Sequence, residues 1–289
     1  MPPLPGPSRG RLVTVTSDVG SAYAAQMKAA LIAGGVDPAR VIDLAHDLPA
    51  HGVREAAFLL REMARAFPPA SVHLAVIDPG VGGRRAAIAV VTRAGPILVG
   101  PDNGVLMPLA KELGFRAAFR IEPTNLPARP RVGTTFDGRD LFAPAAARLA
   151  TGGRPSDLGP RVAASPFLVP SAKRAGDRIR GEVLHVDRFG NLITNVPSSW
   201  VGRSAKLLRL RVGRAGARAV PWAVCYEALG RGRLGTLGSS FGLVEIAVGE
   251  GRASDRLRAD VGASVELIPS PAPTRRGEKA NSARPRKRG

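Results

Sequence analysis

The residues best suited to chemistry lie in a glycine-rich loop, residues 77–85. In this loop Asp78 is followed by a Pro-Gly turn, two further glycines and a pair of arginines that ends with Arg85. The loop separates two short apolar runs, 71–77 and 86–91, which have the composition of buried strands. A carboxylate and a guanidinium on a loop between rigid strands can bind and orient a polar reactant. The alternative interpretation is a glycine-rich connection with a surface ion pair.

Other charged and amide side chains lie in further N-terminal loops, several of which follow predicted strands. These are Asp18, Asp102, Asn103, Asp137, Arg139 and Asp140. If the sheet is parallel, the loops that carry them converge at its carboxyl edge, where open α/β sheets bind ligands. Clustered aspartates are also typical of metal sites, but no histidine or cysteine stands at ligand spacing, and we expect no metal. No glycine motif for a dinucleotide and no Walker motif is present.

A second dense motif lies at residues 181–195 and contains Asp187, Phe189 and Asn191. An aromatic face can stack on a planar base, an Asn side chain can pair with the edge of a base, and an Asp can bind an ammonium group. The alternative is a β-hairpin turn in which Asp and Asn cap the backbone. Composition alone does not choose between the two interpretations.

The elements that must position these motifs fall into two domains. Apolar strands alternate with helices over residues 11–152, a pattern typical of an α/β domain with a largely parallel sheet and helices on both faces. The predicted strands are 11–16, 40–44, 71–77, 86–91, 96–100 and 117–121, and the predicted helices are 22–33, 53–67, 105–113 and 141–150.

The rest of the chain has a different composition and a different pattern of predicted elements. Residues 153–177 are rich in Pro, Gly and Arg, which predicts a linker, and 178–269 contain short strands and turns but no helix. That pattern indicates a small, barrel-like all-β domain. We expect residues 1–10 to be a disordered leader and 270–289 to be a disordered basic tail.

The chain is strongly basic, with 42 Lys and Arg against 23 Asp and Glu and a formal net charge of +19. A nucleic-acid partner is therefore one alternative. However, apart from the tail, the arginines are scattered among Ala and Gly, and we expect a solvated surface. The lone Cys225, the lack of a signal-peptide pattern and the lack of a long apolar run together predict a cytoplasmic protein.

Seven motifs in order give the chain a family resemblance. They read TSDVG, VIDLAHDLP, VHLAVIDPGVGGRR, GPDNGVL, TFDGRDLFAPAAA, GEVLHVDRFGNLITNV and SSFGLVEIAVGEGRAS. Over about residues 11–268 the chain resembles the S-adenosylmethionine hydroxide adenosyltransferase family, whose relatives include the fluorinase and the chlorinase. The resemblance implies an α/β domain followed by a β-barrel-like domain, in a homotrimer with sites between subunits.

The same resemblance implies a reaction, the attack of water or hydroxide on the ribose C5′ of S-adenosylmethionine, with no cofactor. Asp78 and Arg85 match the pair that positions the nucleophile, and Asp137 stands where a His is expected. An Asp there can serve as a base or repel hydroxide. The alternatives are a paralogue that binds a nucleoside without hydrolysing it or acts on another substrate, and a halogenase.

On the substrate side, the resemblance assigns Asp187 to the methionine ammonium, Phe189 and Asn191 to the adenine, and Ser240 to the methionine carboxylate. The first loop is about two residues shorter than the family pattern, and the second aspartate of that pattern, which would hold the ribose hydroxyls, has no clear equivalent. Asp18 is the substrate-binding residue assigned in that loop.

Overall fold

The computed structural model of the 289-residue chain describes residues 10–127, 133–167, 170–201 and 205–270. The chain divides into two compact units, Met1–Val169 and Pro170–Gly289. The division falls inside the stretch 153–177 that the sequence predicts as a linker, and this stretch also contributes short strands to both units. The predicted leader before residue 10 and the predicted tail after residue 270 lie outside the described residues.

Among its described residues, the first unit contains a seven-stranded sheet and four α-helices. The strands are β1 (Leu12–Ser17), β2 (Val41–Ala45), β3 (Ser71–Val76), β4 (Ala87–Thr92), β5 (Ile97–Pro101), β6 (Phe115–Arg120) and β7 (Arg161–Val162). The helices are α1 (Gly20–Ala33), α2 (Val53–Ala64), α3 (Met107–Glu112) and α4 (Ala143–Ala150). The α/β class is therefore as predicted.

The sheet is mixed, whereas the sequence predicts a largely parallel one. Its strand order is β2-β1-β3-β5-β4-β6-β7, and β1 is parallel to β2 and β3, as β3 is to β5. Strand β4 is antiparallel to both β5 and β6. The physical reason is the length of the connection, since only residues 93–96 join β4 to β5 and a parallel crossover needs a dozen residues or more.

Helices cover both faces of this sheet. Val13 and Val15 of β1 share one hydrophobic core with Met27 of α1 and Leu149 of α4. Because side chains alternate along a strand, Thr14 and His73 point to the opposite face. There the ring of Phe67, which follows α2, meets the His73 ring edge-on at 6.1 Å. Within the described residues, no helix is both long and apolar enough to cross a membrane.

The second unit is a nearly closed, barrel-like antiparallel sheet. Its strands are β8 (Lys173–Ala175), β9 (Arg178–Val186), β10 (Leu192–Pro197), β11 (Leu207–Val212), β12 (Arg218–Pro221), β13 (Leu234–Gly238), β14 (Leu243–Val248) and β15 (Ser264–Ser270). The strand order is β12-β11-β15-β9-β10-β14-β13, with β8 paired to β9. A bridge between Trp222 and Thr236 brings the two ends together. The short helix α5 (Ala253–Leu257) is not foreseen from the sequence.

Candidate active site

The carboxyl edge of the parallel strands positions Asp78. Strands β1, β3 and β5 run parallel, so Ser17, Val76 and Pro101 end at the same edge of the sheet. Asp78 follows β3 by two residues. The backbone carbonyl of Ile77 accepts a hydrogen bond at 2.8 Å from the Asn103 side chain, which belongs to the loop after β5. Two neighbouring loops are therefore tied together beside the carboxylate.

Backbone turns at the glycines reverse the direction of the loop, so that Arg85 faces Asp78. The Val81 N–H donates to the Asp78 carbonyl at 3.2 Å, and the Gly83 N–H donates to the Gly80 carbonyl at 3.0 Å. A Cβ atom on Gly80 would lie 3.1 Å from Cγ of Arg85. A larger residue at position 80 would therefore press on the arginine stem.

The third side chain, Asp137, lies in a later segment of the first unit. It precedes a π-helical turn, Gly138–Phe142, that leads into α4. A Cβ atom on Gly138 would lie 2.8 Å from Sδ of Met27 on α1. The absence of a side chain at position 138 thus lets this turn pack closely on α1 and bring Asp137 to the sheet edge.

These three side chains form one ionic cluster, which we call the carboxylate–arginine trio: Asp78, Arg85 and Asp137. Nε of Arg85 donates to Oδ1 and Oδ2 of Asp78 at 2.9 and 3.0 Å, and its Nη2 donates to Asp137 Oδ2 at 2.5 Å. Nη2 also contacts Asp78 Oδ2. Both carboxylate side chains are only 5% exposed and that of Arg85 is 14% exposed. The trio is thus nearly withdrawn from solvent.

The electrostatics of the trio keep the arginine charged. Burial alone lowers the pKa of Arg85, but the hydrogen bonds and negative charges of Asp78 and Asp137 outweigh burial and raise it. The guanidinium also lies 5.1 Å from the centroid of the Phe142 ring. One cation faces two carboxylates, so the trio has a formal charge of −1. A cavity of about 290 Å³ is lined by Arg85 and Asp137.

The hairpin between β9 and β10 organises the candidate site of the second unit. Asp187 Oδ1 accepts hydrogen bonds from the backbone N–H groups of Phe189 and Asn191, both at 2.9 Å. Its Oδ2 accepts one from the Asn191 side chain at 3.0 Å. The Asp-capped turn is therefore present, and the Phe189 side chain is 68% exposed. The turn holds this aromatic ring out from the barrel.

Phe189 and Tyr226 line the same cavity of about 600 Å³, together with Asp187, Asn191 and Arg252. The Tyr226 hydroxyl donates to Oε1 of Glu245 on β14 at 2.6 Å. Two aromatic rings, an amide and a carboxylate are the groups that bind a planar, nitrogen-rich ligand. This cavity lies wholly within the second unit.

Comparison with known proteins identifies the family. The model of the SAM hydroxide adenosyltransferase N-terminal domain matches residues 13–159, and that of the C-terminal domain matches residues 181–266. The chain belongs to the SAM hydroxide adenosyltransferase family. The two matched segments fall in the two structural units, and together they cover most of the chain.

Its relatives in this family include named enzymes. An (R)-S-adenosyl-L-methionine hydrolase of Thermus thermophilus is 41% identical over 89% of this chain and its own full length. One from Salinispora tropica is 43% identical over 75% of this chain and 82% of its own. A fluorinase of Actinopolyspora mzabensis is more distant, at 28% identity over 58% of this chain and 66% of its own.

A solved structure shares the fold. The crystal structure of an uncharacterized conserved protein from Thermotoga maritima matches with a TM-score of 0.80 and 32% identity. The match covers 89% of this chain and the whole of that one. Both units of the family fold are therefore represented in an experimental structure.

Two substrate-binding residues expected from the family resemblance have specific local environments. Asp18 Oδ2 accepts a hydrogen bond at 3.0 Å from the backbone N–H of His51, so this carboxylate binds the loop that precedes α2. Ser240 is exposed in the turn between β13 and β14. The hydroxyl of its neighbour Ser239 instead accepts the backbone N–H groups of Phe241 and Leu243, both at 3.3 Å. Ser239 holds the turn, and Ser240 is presented by it.

A polar network begins at Ser17, the residue before Asp18 in the sequence. The hydroxyl of Ser17 lies 2.9 Å from Nδ1 of His46, and Nε2 of His46 lies 3.0 Å from Asp43. Burial raises the pKa of Asp43, but hydrogen bonds from Lys28 and His46 and the charges of both outweigh it, so the pKa is lowered. The network connects the ends of β1 and β2.

Sequence reasoning missed Tyr226, which lines the cavity, and the residue that accepts its hydrogen bond, Glu245. Glu245 is 3% exposed on β14. Burial raises its pKa and the charge of Asp187 adds to this, whereas the hydrogen bond from Tyr226 opposes it. The signal was available, because an acidic residue interrupts the apolar run LVEIAV at a position where the strand is buried. Among the described residues, no group of three His, Cys, Asp or Glu could hold a metal ion, and the expectation that none is needed stays a prediction.

Proposed function

We propose that this protein hydrolyses S-adenosylmethionine to adenosine and methionine by attack of water on the ribose C5′. The observation that carries the proposal is the carboxylate–arginine trio. It places two carboxylates, which accept hydrogen bonds from water, around one fixed cation in a nearly water-free position. The names of the relatives, (R)-S-adenosyl-L-methionine hydrolases, support the same reaction.

The reaction is a displacement at carbon. A water oxygen forms a bond to C5′ as the bond from C5′ to the sulfonium sulfur breaks, and its electron pair returns to sulfur to give neutral methionine. The proton that the water loses passes to a carboxylate and then to solvent. Because the sulfonium is a good leaving group, the enzyme mainly has to hold water in line and exclude other waters.

Each residue of the trio takes one role in this proposal. Asp78 orients the water, and Arg85 fixes both carboxylates through its fork of N–H groups. Asp137, which replaces the His expected from the family pattern, accepts the proton. A negatively charged trio repels preformed hydroxide, so neutral water is the nucleophile that this arrangement favours.

The second unit supplies recognition. Phe189 stacks on the adenine, Asn191 pairs with its edge, Asp187 attracts the methionine ammonium and Ser240 binds the methionine carboxylate. Asp18 is assigned to the ribose. The homotrimer with sites between subunits, the cytoplasmic location and the lack of a cofactor belong to the same proposal and rest on the sequence and the family resemblance.

The test is direct. Pure protein is incubated with S-adenosylmethionine and adenosine is measured by chromatography, alongside an Asp78→Ala variant with an unchanged circular dichroism spectrum. We expect adenosine and methionine in equal amounts from the wild type, and at least a roughly 100-fold lower rate from the variant. Equal, trace amounts of adenosine from both proteins would contradict hydrolysis.

A second candidate is a paralogue that binds a nucleoside but acts on another substrate or on none. Two observations favour it: Asp137 stands in the place of the expected His, and Asp18 is bound to the His51 backbone. It predicts adenosine binding by calorimetry without turnover of S-adenosylmethionine. A halogenase would instead form a 5′-chlorinated nucleoside only when chloride is present.

A further inference from the structure

The fold gathers arginines that are scattered in the sequence. Five strands of the second unit, β8, β9, β11, β12 and β15, carry seven Lys or Arg residues and two Glu. The strands β10, β13 and β14 carry one charged residue, the buried Glu245. One part of the barrel wall is therefore strongly basic, while the strands beside the ligand cavity are nearly uncharged.

Strand register places these charges in one row. Lys173 on β8 pairs with Arg180 on β9, Arg180 with Glu266 on β15, and Glu266 with Arg211 on β11. Arg178 and Arg209 lie one pleat away on β9 and β11. Because side chains two apart on a strand share a face, these residues form one outward surface. We call Lys173, Arg178, Arg180, Arg209 and Arg211, with Glu266 at the centre, the basic face.

Glu266 orders the arginines of the basic face. Its carboxylate lies 3.3 Å from Arg178, 3.1 Å from Arg180 and 3.6 Å from Arg211. One negative charge thus faces three guanidiniums, whose side chains are 49%, 65% and 53% exposed, while Glu266 itself is 16% exposed. The arginines are therefore held by one carboxylate while about half or more of each side chain stays exposed to solvent.

The chain continues from this face with more positive charge. Strand β15 lies between β11 and β9, and it ends at Ser270. The sequence that follows, residues 271–289, contains seven Lys or Arg and one Glu. A long polyanion that reaches the basic face would therefore meet further cations of the same chain.

We propose that the basic face binds the phosphate backbone of nucleic acid, independently of the proposed hydrolysis. Fixed guanidinium forks match phosphate oxygens, and several cations on one sheet suit a partner with repeated negative charges. The five described strands contain no Phe, Tyr or Trp, so these strands themselves offer no aromatic platform for stacking bases. Binding is consequently to phosphates and insensitive to base sequence.

The first experiment measures binding of the full chain to a labelled RNA duplex and a DNA duplex by fluorescence anisotropy between about 50 and 200 mM KCl. The variant Arg180→Ala/Arg211→Ala is compared with a control of equal charge loss, Arg116→Ala/Arg154→Ala, whose arginines are exposed in the first unit. We expect the face variant to bind roughly tenfold more weakly and its log–log salt slope to fall by about 2. The control should change neither value by as much as half of this.

A second variant should change the affinity for nucleic acid in the opposite direction. Glu266→Gln frees three guanidiniums from their carboxylate, so it should bind nucleic acid several-fold more tightly, whereas a merely structural role of Glu266 would not tighten binding. The same comparison is made in a chain that ends at Ser270. There, Arg180→Ala/Arg211→Ala should still bind nucleic acid more weakly than the truncated chain without these substitutions.

Three results would overturn the proposal. They are an equal loss of affinity in the first-unit control, a Glu266→Gln variant that binds no more tightly, and stronger binding to phosphatidylserine vesicles than to either duplex. Circular dichroism and thermal unfolding of each variant establish that it is folded.

Discussion

The two candidate sites of this molecule differ in how far their side chains are exposed to solvent. In the first unit, the three side chains of the carboxylate–arginine trio pair with one another, and both carboxylate side chains are 5% exposed. In the second unit, Phe189 and Tyr226 stand 68% and 51% exposed beside an open cavity of about 600 Å³. A closed ionic cluster suits a small, polar reactant such as water, while open aromatic walls suit a large, flat ligand.

The two regions also differ in how the chain brings them together. Asp137 hydrogen-bonds to an arginine 52 residues away, so the trio exists only when the sheet and the π-helical turn are both formed. The Asp187 turn closes its hydrogen bonds within four residues. Damage to the trio should therefore cost stability as well as activity, whereas damage to the hairpin should change mainly ligand affinity.

The largest expected effect comes from Arg85→Met. It removes the cation between two nearly buried carboxylates, so the first unit should lose about 4 kcal/mol of its free energy of unfolding. Urea unfolding followed by circular dichroism measures this loss. The effect should be much larger than that of any single change at the cavity of the second unit.

A matched variant separates charge from packing. In Arg85→Met/Asp78→Asn/Asp137→Asn the carboxylates are neutral, so most of the lost stability should return while adenosine formation stays absent. If Arg85→Met alone unfolds at the same urea concentration as the wild type, the ionic contacts of the trio do not stabilise the first unit.

The second effect is a pH dependence that arises in the sheet of the first unit. His73 is fully buried beside Thr14, and burial lowers its pKa from 6.5 to about 4. The unfolded chain takes up a proton below pH 6.5 while the folded chain does so only near pH 4. Stability is thus fully present above pH 6.5 and falls as the pH drops, by about 3 kcal/mol between pH 7 and 4.

Spectroscopy can assign this acid effect to a unit. Both tryptophans, Trp200 and Trp222, belong to the second unit, whereas α1 to α4 belong to the first. Circular dichroism in the helical region should therefore change at a higher pH than tryptophan fluorescence. In His73→Gln the loss of stability on acidification should shrink, and an unchanged loss would show that another group is responsible.

Much of the first unit could be predicted from sequence because its signals are local. Continuous apolar runs and helical periodicity locate β1, β3, α1 and α2 within a few residues. The direction of β4 was less accessible, since composition is the same for parallel and antiparallel strands and only the short connection to β5 decides it. The trio was predicted through the family resemblance; no local pattern joins Asp137 to Arg85.

The second unit was harder to predict for a different reason. Its recognition hairpin is local, and Asp187, Phe189 and Asn191 stand out as a motif. Tyr226 and Glu245 come from two further segments, and they meet only because β14 pairs with β10 and β13. The buried acid in β14 was the available clue, but register is a property of the folded sheet.

The third effect concerns ligand affinity alone. Phe189→Ala removes an exposed ring from the cavity, and loss of base stacking should weaken adenosine binding by about 2 kcal/mol, or roughly 30-fold. Calorimetry with adenosine measures this without depending on turnover. Val224→Ala, at an exposed apolar position near Tyr226 in sequence, is the matched control and should bind normally. Equal affinity in Phe189→Ala would remove this ring from the recognition site.

The smallest effect tests how the second aromatic wall is held. Tyr226→Phe keeps the ring but removes the hydroxyl that donates to Glu245, so the second unit should lose about 1 kcal/mol at neutral pH. Because that hydrogen bond lowers the pKa of Glu245, while burial raises it, the pKa of Glu245 should rise in the variant.

The sign of the pH dependence follows from this shift. A carboxyl group whose folded pKa is raised favours the folded state when it is protonated, and this advantage is lost as the pH rises. The deficit of Tyr226→Phe should therefore be largest near pH 7 and shrink near pH 4, as measured by urea unfolding with tryptophan fluorescence. A deficit that does not change with pH would mean that the hydroxyl of Tyr226 contributes independently of the ionisation of Glu245, so that the charge of Glu245 has no part in holding the cavity wall.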